Sequence, residues 1–157
     1  MRNRLKGVTL IEAMLYIGLF SIIIMIVLNF MFSTQEATLR TNRRSQLNTA
    51  SEFISQHISY SFSKALSINE ESSTFGNNQG VLELQLQEGY RQYTMANGRI
   101  YYDSIPITPS NIVVSSFSLT PVYDRSNVPI GIRTEILLFS SGDSNLTETL
   151  NMLLILR

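Results

Sequence analysis

From residue 13 through residue 35 the chain carries no charged side chain, twenty-three residues in succession. At ~1.5 Å per residue a helix of that length reaches roughly 34 Å, enough to cross a hydrocarbon core of ~30 Å. Lipid offers no partner to a backbone N–H or C=O, so a single apolar run can cross only as a helix that closes its own hydrogen bonds. A membrane-spanning helix is therefore the first expectation. A cleaved secretory signal would need small residues around a cut site after the apolar core. This run instead leaves through Asn29, Phe30, Met31, Phe32 and Ser33, bulky where small residues belong, so the segment is read as retained.

The residues in front of the run narrow the reading. Arg2, Arg4 and Lys6 make a short basic leader, followed by Gly7-Val8-Thr9-Leu10-Ile11-Glu12. A carboxylate in a spanning helix costs ~2.5–3.5 kcal/mol at the centre and less near an end, so Glu12 needs a physical reason. The arrangement of basic leader, Gly, Thr-Leu-Ile-Glu and apolar helix resembles the type IV prepilin leader. The resemblance implies cleavage between Gly7 and Val8 by a membrane prepilin peptidase and N-methylation of Val8. It also implies an assembly role for Glu12, whose carboxylate would meet the Val8 amine of a neighbouring subunit. It places residue 1 in the cytoplasm and residues beyond about 35 outside a cytoplasmic (inner) membrane, from which the subunit passes into a filament. Charge counting alone does not decide orientation, because Arg40, Arg43 and Arg44 balance the three basic residues of the leader.

Three positions depart from the family pattern. The processed chain of the family usually begins with Phe, where this one has Val8, and many major pilins carry Gly and Pro where this chain has Ser21 and Asn29. The absence of a helix-breaking Pro points towards a minor pilin or pseudopilin.

Beyond the span, Leu47, Ala50, Phe53, Ile54, His57, Ile58, Ser61, Phe62, Ala65 and Leu66 recur at three- and four-residue steps. This is the stripe of an amphipathic helix, and it predicts one helix from about Thr9 to about Ser67. Residues 69–80 are polar and rich in Gly and Asn, a loop. Leu82, Leu84 and Leu86 alternate with Glu83, Gln85 and Gln87, the period of a half-buried strand. Asn97-Gly98 is a strong hairpin signal. Further strands are expected over 90–95, 99–105, 112–119, 132–138 and 146–156. The predicted class is α+β: one long helix packed on an antiparallel sheet of about six strands, the pilin-like form. The hairpin order, the Tyr101-Tyr102 strand and the apolar C-terminal strand also resemble J-type minor pseudopilins. The expected segments are a leader at 1–7, a transmembrane and assembly half-helix at 8–35, an amphipathic half-helix at 36–68 and a sheet region at 69–157.

The chemistry is sparse. With no Cys and a single histidine, His57, thiolate sites, multi-His zinc sites and a cysteine nucleophile are excluded. Twelve Lys and Arg balance twelve Asp and Glu, so no basic excess points to nucleic acid. Nucleotide-binding and hydrolase motifs are absent. Glu70-Glu71 and Asp143-Ser144-Asn145 read as a solvated pair and a turn. Tyr90, Tyr93, Tyr101 and Tyr102, with Arg91 and Arg99, fill a sheet face or stack on bases. No catalytic residue, metal or cofactor is expected. The functional expectation is a structural subunit of a pilus, type II secretion or competence filament. Its partners would be other pilins or pseudopilins, the prepilin peptidase, an inner-membrane assembly platform and lipid. The alternatives are a filament-tip or membrane-anchored binding module contacting DNA, a surface or a secreted substrate, and an unprocessed signal-anchored protein.

Overall fold

The structure is a computed structural model that describes residues 9–126 and 128–156. Backbone contacts divide the chain into two units, Met1–Thr41 and Asn42–Arg157. Helix α1, Leu10–Ser63, contributes to both.

In the first unit every described side chain is exposed except the half-buried Ala13. The large apolar residues from Leu10 to Phe32 are thus left uncovered by the described residues. The polar residues here are partly self-satisfied. Ser21, Thr34, Thr38 and Thr41 each donate their hydroxyl to the carbonyl four residues earlier, at 2.8–2.9 Å. A hydroxyl bonded back onto its own helix does not need water, so Ser21 fits inside the uncharged run. Glu36 and Arg40 form an i,i+4 pair at 3.6 Å, both well exposed.

In the second unit the same helix changes character. Leu47, Ala50, Ser51, Ile54, Ile58, Ser61 and Phe62 are buried, the three- and four-residue steps expected of one packed face. The helix ends at Ser63, short of the expected Ser67. Lys64 N–H donates to Ser61 C=O at 3.2 Å and Ala65 N–H to Phe62 C=O at 3.1 Å, tightening the last turn. Leu66 N–H then donates to Gln85 C=O at 2.8 Å. Sheet pairing captures the backbone there, and Ser67–Ile68 becomes strand β1.

The strands following are β2 Val81–Leu86, β3 Gly89–Ala96, β4 Arg99–Tyr102, β5 Ile105–Pro106, β6 Ile112–Tyr123, β7 Pro129–Ser140 and β8 Asp143–Ile155. They are antiparallel throughout but do not form one sheet of about six. Sheet A has the order β1-β2-β3-β4-β5 and sheet B the order β6-β7-β8. Residues 76–80 pair with β6 where another strand would have joined it, which divides the sheet, and the number and length of the strands differ for two further reasons. β1 and β5 hold two residues each, too few to show a period of two. The long strands β6 and β7 run on past the expected ends, β6 through Pro121 to Tyr123, which an edge strand tolerates because its outer N–H goes unused in the ladder. Asp143 likewise opens β8 instead of lying in a turn. The Asn97-Gly98 hairpin is as expected, with φ of 49° and 69°, the left-handed pair that a two-residue type I′ turn requires.

The two sheets are stitched by backbone. Phe117 N–H donates to Asn78 C=O at 2.8 Å, Gly80 N–H to Phe117 C=O at 2.7 Å, Gly76 N–H to Leu119 C=O at 3.0 Å and Val114 N–H to Gly98 C=O at 2.8 Å. A Cβ at Gly80 would lie 2.7 Å from Phe117 O, so only glycine lets the 69–80 segment lie against β6. One core results. Leu47, Ile54, Ile58 and Phe62 from α1 meet Leu82, Leu84, Tyr93 and Ile100 of sheet A and Phe117, Leu119, Ile132, Ile136 and Leu138 of sheet B.

Candidate functional site

Two places in the chain carry unusual chemistry. The first is the start of α1. Gly7 and Val8 lie outside the described residues, and Glu12 is within them. Thr9 sits just before the helix, and its Oγ1 accepts the N–H of Glu12 at 3.4 Å, while its C=O accepts the N–H of Ala13 at 3.1 Å. Thr9 is therefore the N-cap and Glu12 the third helical residue. The spacing is that of a capping box, but the reciprocal bond from Thr9 N–H to the Glu12 carboxylate is not formed among the described residues. A carboxylate in the first turn also meets the positive end of the helix dipole. Tyr16, one turn on, donates its hydroxyl to Glu12 Oε1 at 3.3 Å. Glu12 is exposed and accepts only that one side-chain hydrogen bond among the described residues. Helix initiation thus supplies part of the reason for Glu12 that its cost in an apolar segment demands. The sequence signal for this, a hydroxyl residue three before a carboxylate at the head of an apolar run, is present but easily passed over beside the leader.

The second place is the helix–sheet junction. His57 Nδ1 and the Tyr93 hydroxyl are 2.8 Å apart, and the same hydroxyl lies 2.7 Å from Ser61 Oγ and 3.2 Å from the His57 carbonyl. Tyr102 packs edge-on to His57 at 4.9 Å between ring centroids. Tyr93 is fully buried, and burial pushes its hydroxyl far above the ordinary phenol range. Desolvation likewise lowers His57 below its usual 6.5. Both groups are held neutral by being taken from water. The cluster contains no carboxylate, and Ser61 has no second partner that would take its proton. Its chemistry is that of a satisfied network, and His57 lies half-buried in the stripe that the helical steps marked.

No protein-family model, curated protein or solved structure matched this chain. Its functional reading accordingly rests on its own residues.

The four tyrosines do not share a face. Tyr93 pairs with Tyr102 and Thr94 with Tyr101 across β3 and β4, so Tyr93 and Tyr102 turn to the core and Tyr90 and Tyr101 away from it. Arg91 is committed to Asp103 at 2.8 Å, whose second oxygen accepts Gln92 N–H at 2.8 Å. Asp103 holds the Arg91 guanidinium above its ordinary range. Beside it, a groove of about 880 Å³ runs between the end of α1 and the β2–β3 turn, lined among others by Tyr60, Lys64, Glu88 and Arg91. Lys64 is turned onto Tyr60, with its ammonium 4.3 Å from the ring centroid. Among the described residues no cluster of His, Asp or Glu has the spacing to hold a metal ion.

Among the described residues one helix is long and apolar enough to cross a membrane, and it lies near the N-terminus with none of its most apolar stretch buried. That stretch and Glu12 at its head are the candidate functional surface.

Proposed function

We propose that the chain is a structural subunit of a type IV filament, a minor pilin or pseudopilin. It is made as a prepilin, cut between Gly7 and Val8, methylated on Val8, and held in the cytoplasmic membrane until assembly. The observation that carries this reading is the coincidence at one helix end of three features. These are a basic leader closing in Gly7, a capped Glu12, and an uncharged helix whose side chains are left exposed by the described residues. Such a surface is covered by lipid before assembly and by the stems of other subunits afterwards. Moving a stem from lipid to a bundle gains little hydrophobic energy. Packing and polar pairs must therefore select the partner, and an external motor must drive the step.

Glu12 supplies the selecting pair. Cleavage frees the Val8 amine, with an ordinary pKa of ~7.7–8 and hence charged near neutrality. It stands four positions before Glu12, so a pair within one helix competes with a pair between subunits, and the latter sets axial register. Intact mass and N-terminal sequencing of the protein from its host, with and without the peptidase, test the first step. A chain starting at methylated Val8 is expected, and one that retains residues 1–7 refutes the reading. Glu12→Gln keeps shape and loses charge. It should leave cleavage and membrane insertion intact and reduce filament incorporation at least tenfold, and normal incorporation at wild-type expression would remove Glu12 from the assembly step.

A further inference from the structure

Asparagine occurs twelve times in the chain, and only at Asn145 does a Ser or Thr stand two positions later. Asn145-Leu146-Thr147 is the acceptor pattern of N-linked glycosylation. Three residues match such a pattern by chance often enough that their place in the fold must decide what they can do. They lie near the start of β8, an edge strand of sheet B that no other strand meets on its outer side among the described residues.

The pairing of β8 with β7 leaves this segment loose. Phe139 pairs with Thr147, and the next pair is Ser140 with Asp143. Ser144, Asn145 and Leu146 therefore have no counterpart on β7 and bulge from the ladder. Asp143 Oδ1 accepts the Asn145 N–H at 3.1 Å, so a local bond holds the bulge and the sheet does not. Asn145 and Thr147 are exposed and Leu146 between them is half-buried, which puts the Asn145 amide and the Thr147 hydroxyl on one face. Neither of those two groups is engaged in a side-chain hydrogen bond among the described residues. An enzyme can reach both, and the backbone between them, without opening the sheet.

The same face offers a floor for a sugar. Leu156 N–H donates to Ile130 C=O at 2.8 Å, which sets the phase of the ladder and makes Phe139 and Thr147 a non-hydrogen-bonded pair. In such pairs Cα atoms approach to ~4.5 Å and the side chains are closest. Phe139 is half-buried, paired on its other side with Val113 of β6, and stands outside the core. Its ring is thus an apolar surface on the solvent side of sheet B, next to the Thr147 hydroxyl.

We propose that Asn145 is an N-glycosylation acceptor and that the first sugar of the glycan packs on Phe139. The donor is an oligosaccharide joined through a diphosphate to a membrane lipid. Asn145 Nδ2 attacks C1 of the first sugar, the C1–O bond to the diphosphate breaks as the C1–N bond forms, and the lipid diphosphate leaves with the electron pair. One amide proton passes to a base of the transferase, and the Thr147 hydroxyl is the transferase's second recognition point. The step takes place outside the membrane, so it rests on the filament reading for the orientation of residues beyond about 35. A bulky polar glycan at this place also shields the open edge of β8.

Protein purified from its host and cut with trypsin releases residues 134–157 as one peptide, since no Lys or Arg lies between Arg133 and Arg157. That peptide should be heavier by whole sugar residues, with fragment ions placing them on Asn145. Asn145→Gln and Thr147→Val, both at exposed positions, should reduce the modified fraction at least tenfold, and Thr147→Ser should retain it. The glycosylated chain should unfold more slowly in urea than Asn145→Gln, and Phe139→Ser should abolish that difference. An unmodified Asn145 in a chain that starts at methylated Val8 would overturn the proposal and leave the filament reading standing. A sugar carried by Ser144 or Thr147 would overturn it as well, and a difference in unfolding that survives Phe139→Ser would refute the packing on Phe139. A chain that keeps residues 1–7 and carries sugar on Asn145 would refute the filament reading and uphold the acceptor.

Discussion

The two halves of α1 belong to one helix and obey opposite rules. From Ala13 to Phe32 apolar side chains cover every face and none is buried, whereas after Asn42 they form a stripe that is buried at Leu47, Ala50, Ile54, Ile58 and Phe62 and left exposed at Phe53. A helix apolar all round belongs in lipid or among other helices, and a helix with one apolar face belongs on a core. The contrast separates two sources of stability. Residues 42–63 hold their fold through contacts inside the chain, while residues 10–35 depend on whatever surrounds them.

The largest test of this separation compares two phenylalanines. Phe117 is fully buried between the helix and both sheets, and Phe20 is 63% exposed. Phe117→Ala should cost about 3–5 kcal/mol in urea unfolding of the full chain in detergent, while Phe20→Ala should change it by less than about 0.5 kcal/mol. Equal losses would mean that the stem packs on its own chain.

Next is the spanning half itself. Ile23→Arg places a charge near the middle of the uncharged run, at a cost of about 2.5–3.5 kcal/mol for insertion. The protein should shift from the alkali-resistant membrane fraction to the soluble fraction. The same change on the stripe, at Ile54, should instead unfold the second unit and leave the membrane fraction unaltered.

The junction of helix and sheet gives a smaller, pH-dependent effect. His57 is held neutral, with its folded pKa below the usual 6.5, so the unfolded chain binds a proton more readily than the folded one. Stability should be full above pH ~6.5 and fall as pH drops from there towards the folded value. Thermal melts between pH 7.5 and 5 should show this fall, and His57→Gln should flatten that part of it. Tyr93→Phe strips His57 Nδ1 and Ser61 of their shared partner, a loss of about 1–3 kcal/mol. The smallest effect belongs to the exposed Glu36–Arg40 pair, where Glu36→Gln should change stability by less than about 0.5 kcal/mol, and a larger change would reveal a tertiary role for the first unit.

The primary sequence by itself determined the elements whose cause is local. The uncharged run demanded a helix because lipid leaves the backbone no other partner. The three- and four-residue steps from Leu47 to Phe62 marked the packed face, and Asn97-Gly98 marked a hairpin through its tolerance of positive φ. The basic leader, Gly7 and Glu12 were legible as a pattern, whereas the capping role of Thr9 towards Glu12 became plain only with the helix boundary in place. Tertiary structure decided what depends on distant partners. The helix stops at Ser63 because Gln85 offers Leu66 a better hydrogen bond than a further turn. The strands divide into two sheets because residues 76–80 occupy the edge of β6, a pairing between segments about forty residues apart. His57 finds Tyr93 thirty-six residues away, and β8 stands at the edge of its sheet among the described strands. Each of these is a competition for backbone or side-chain partners that no local window contains.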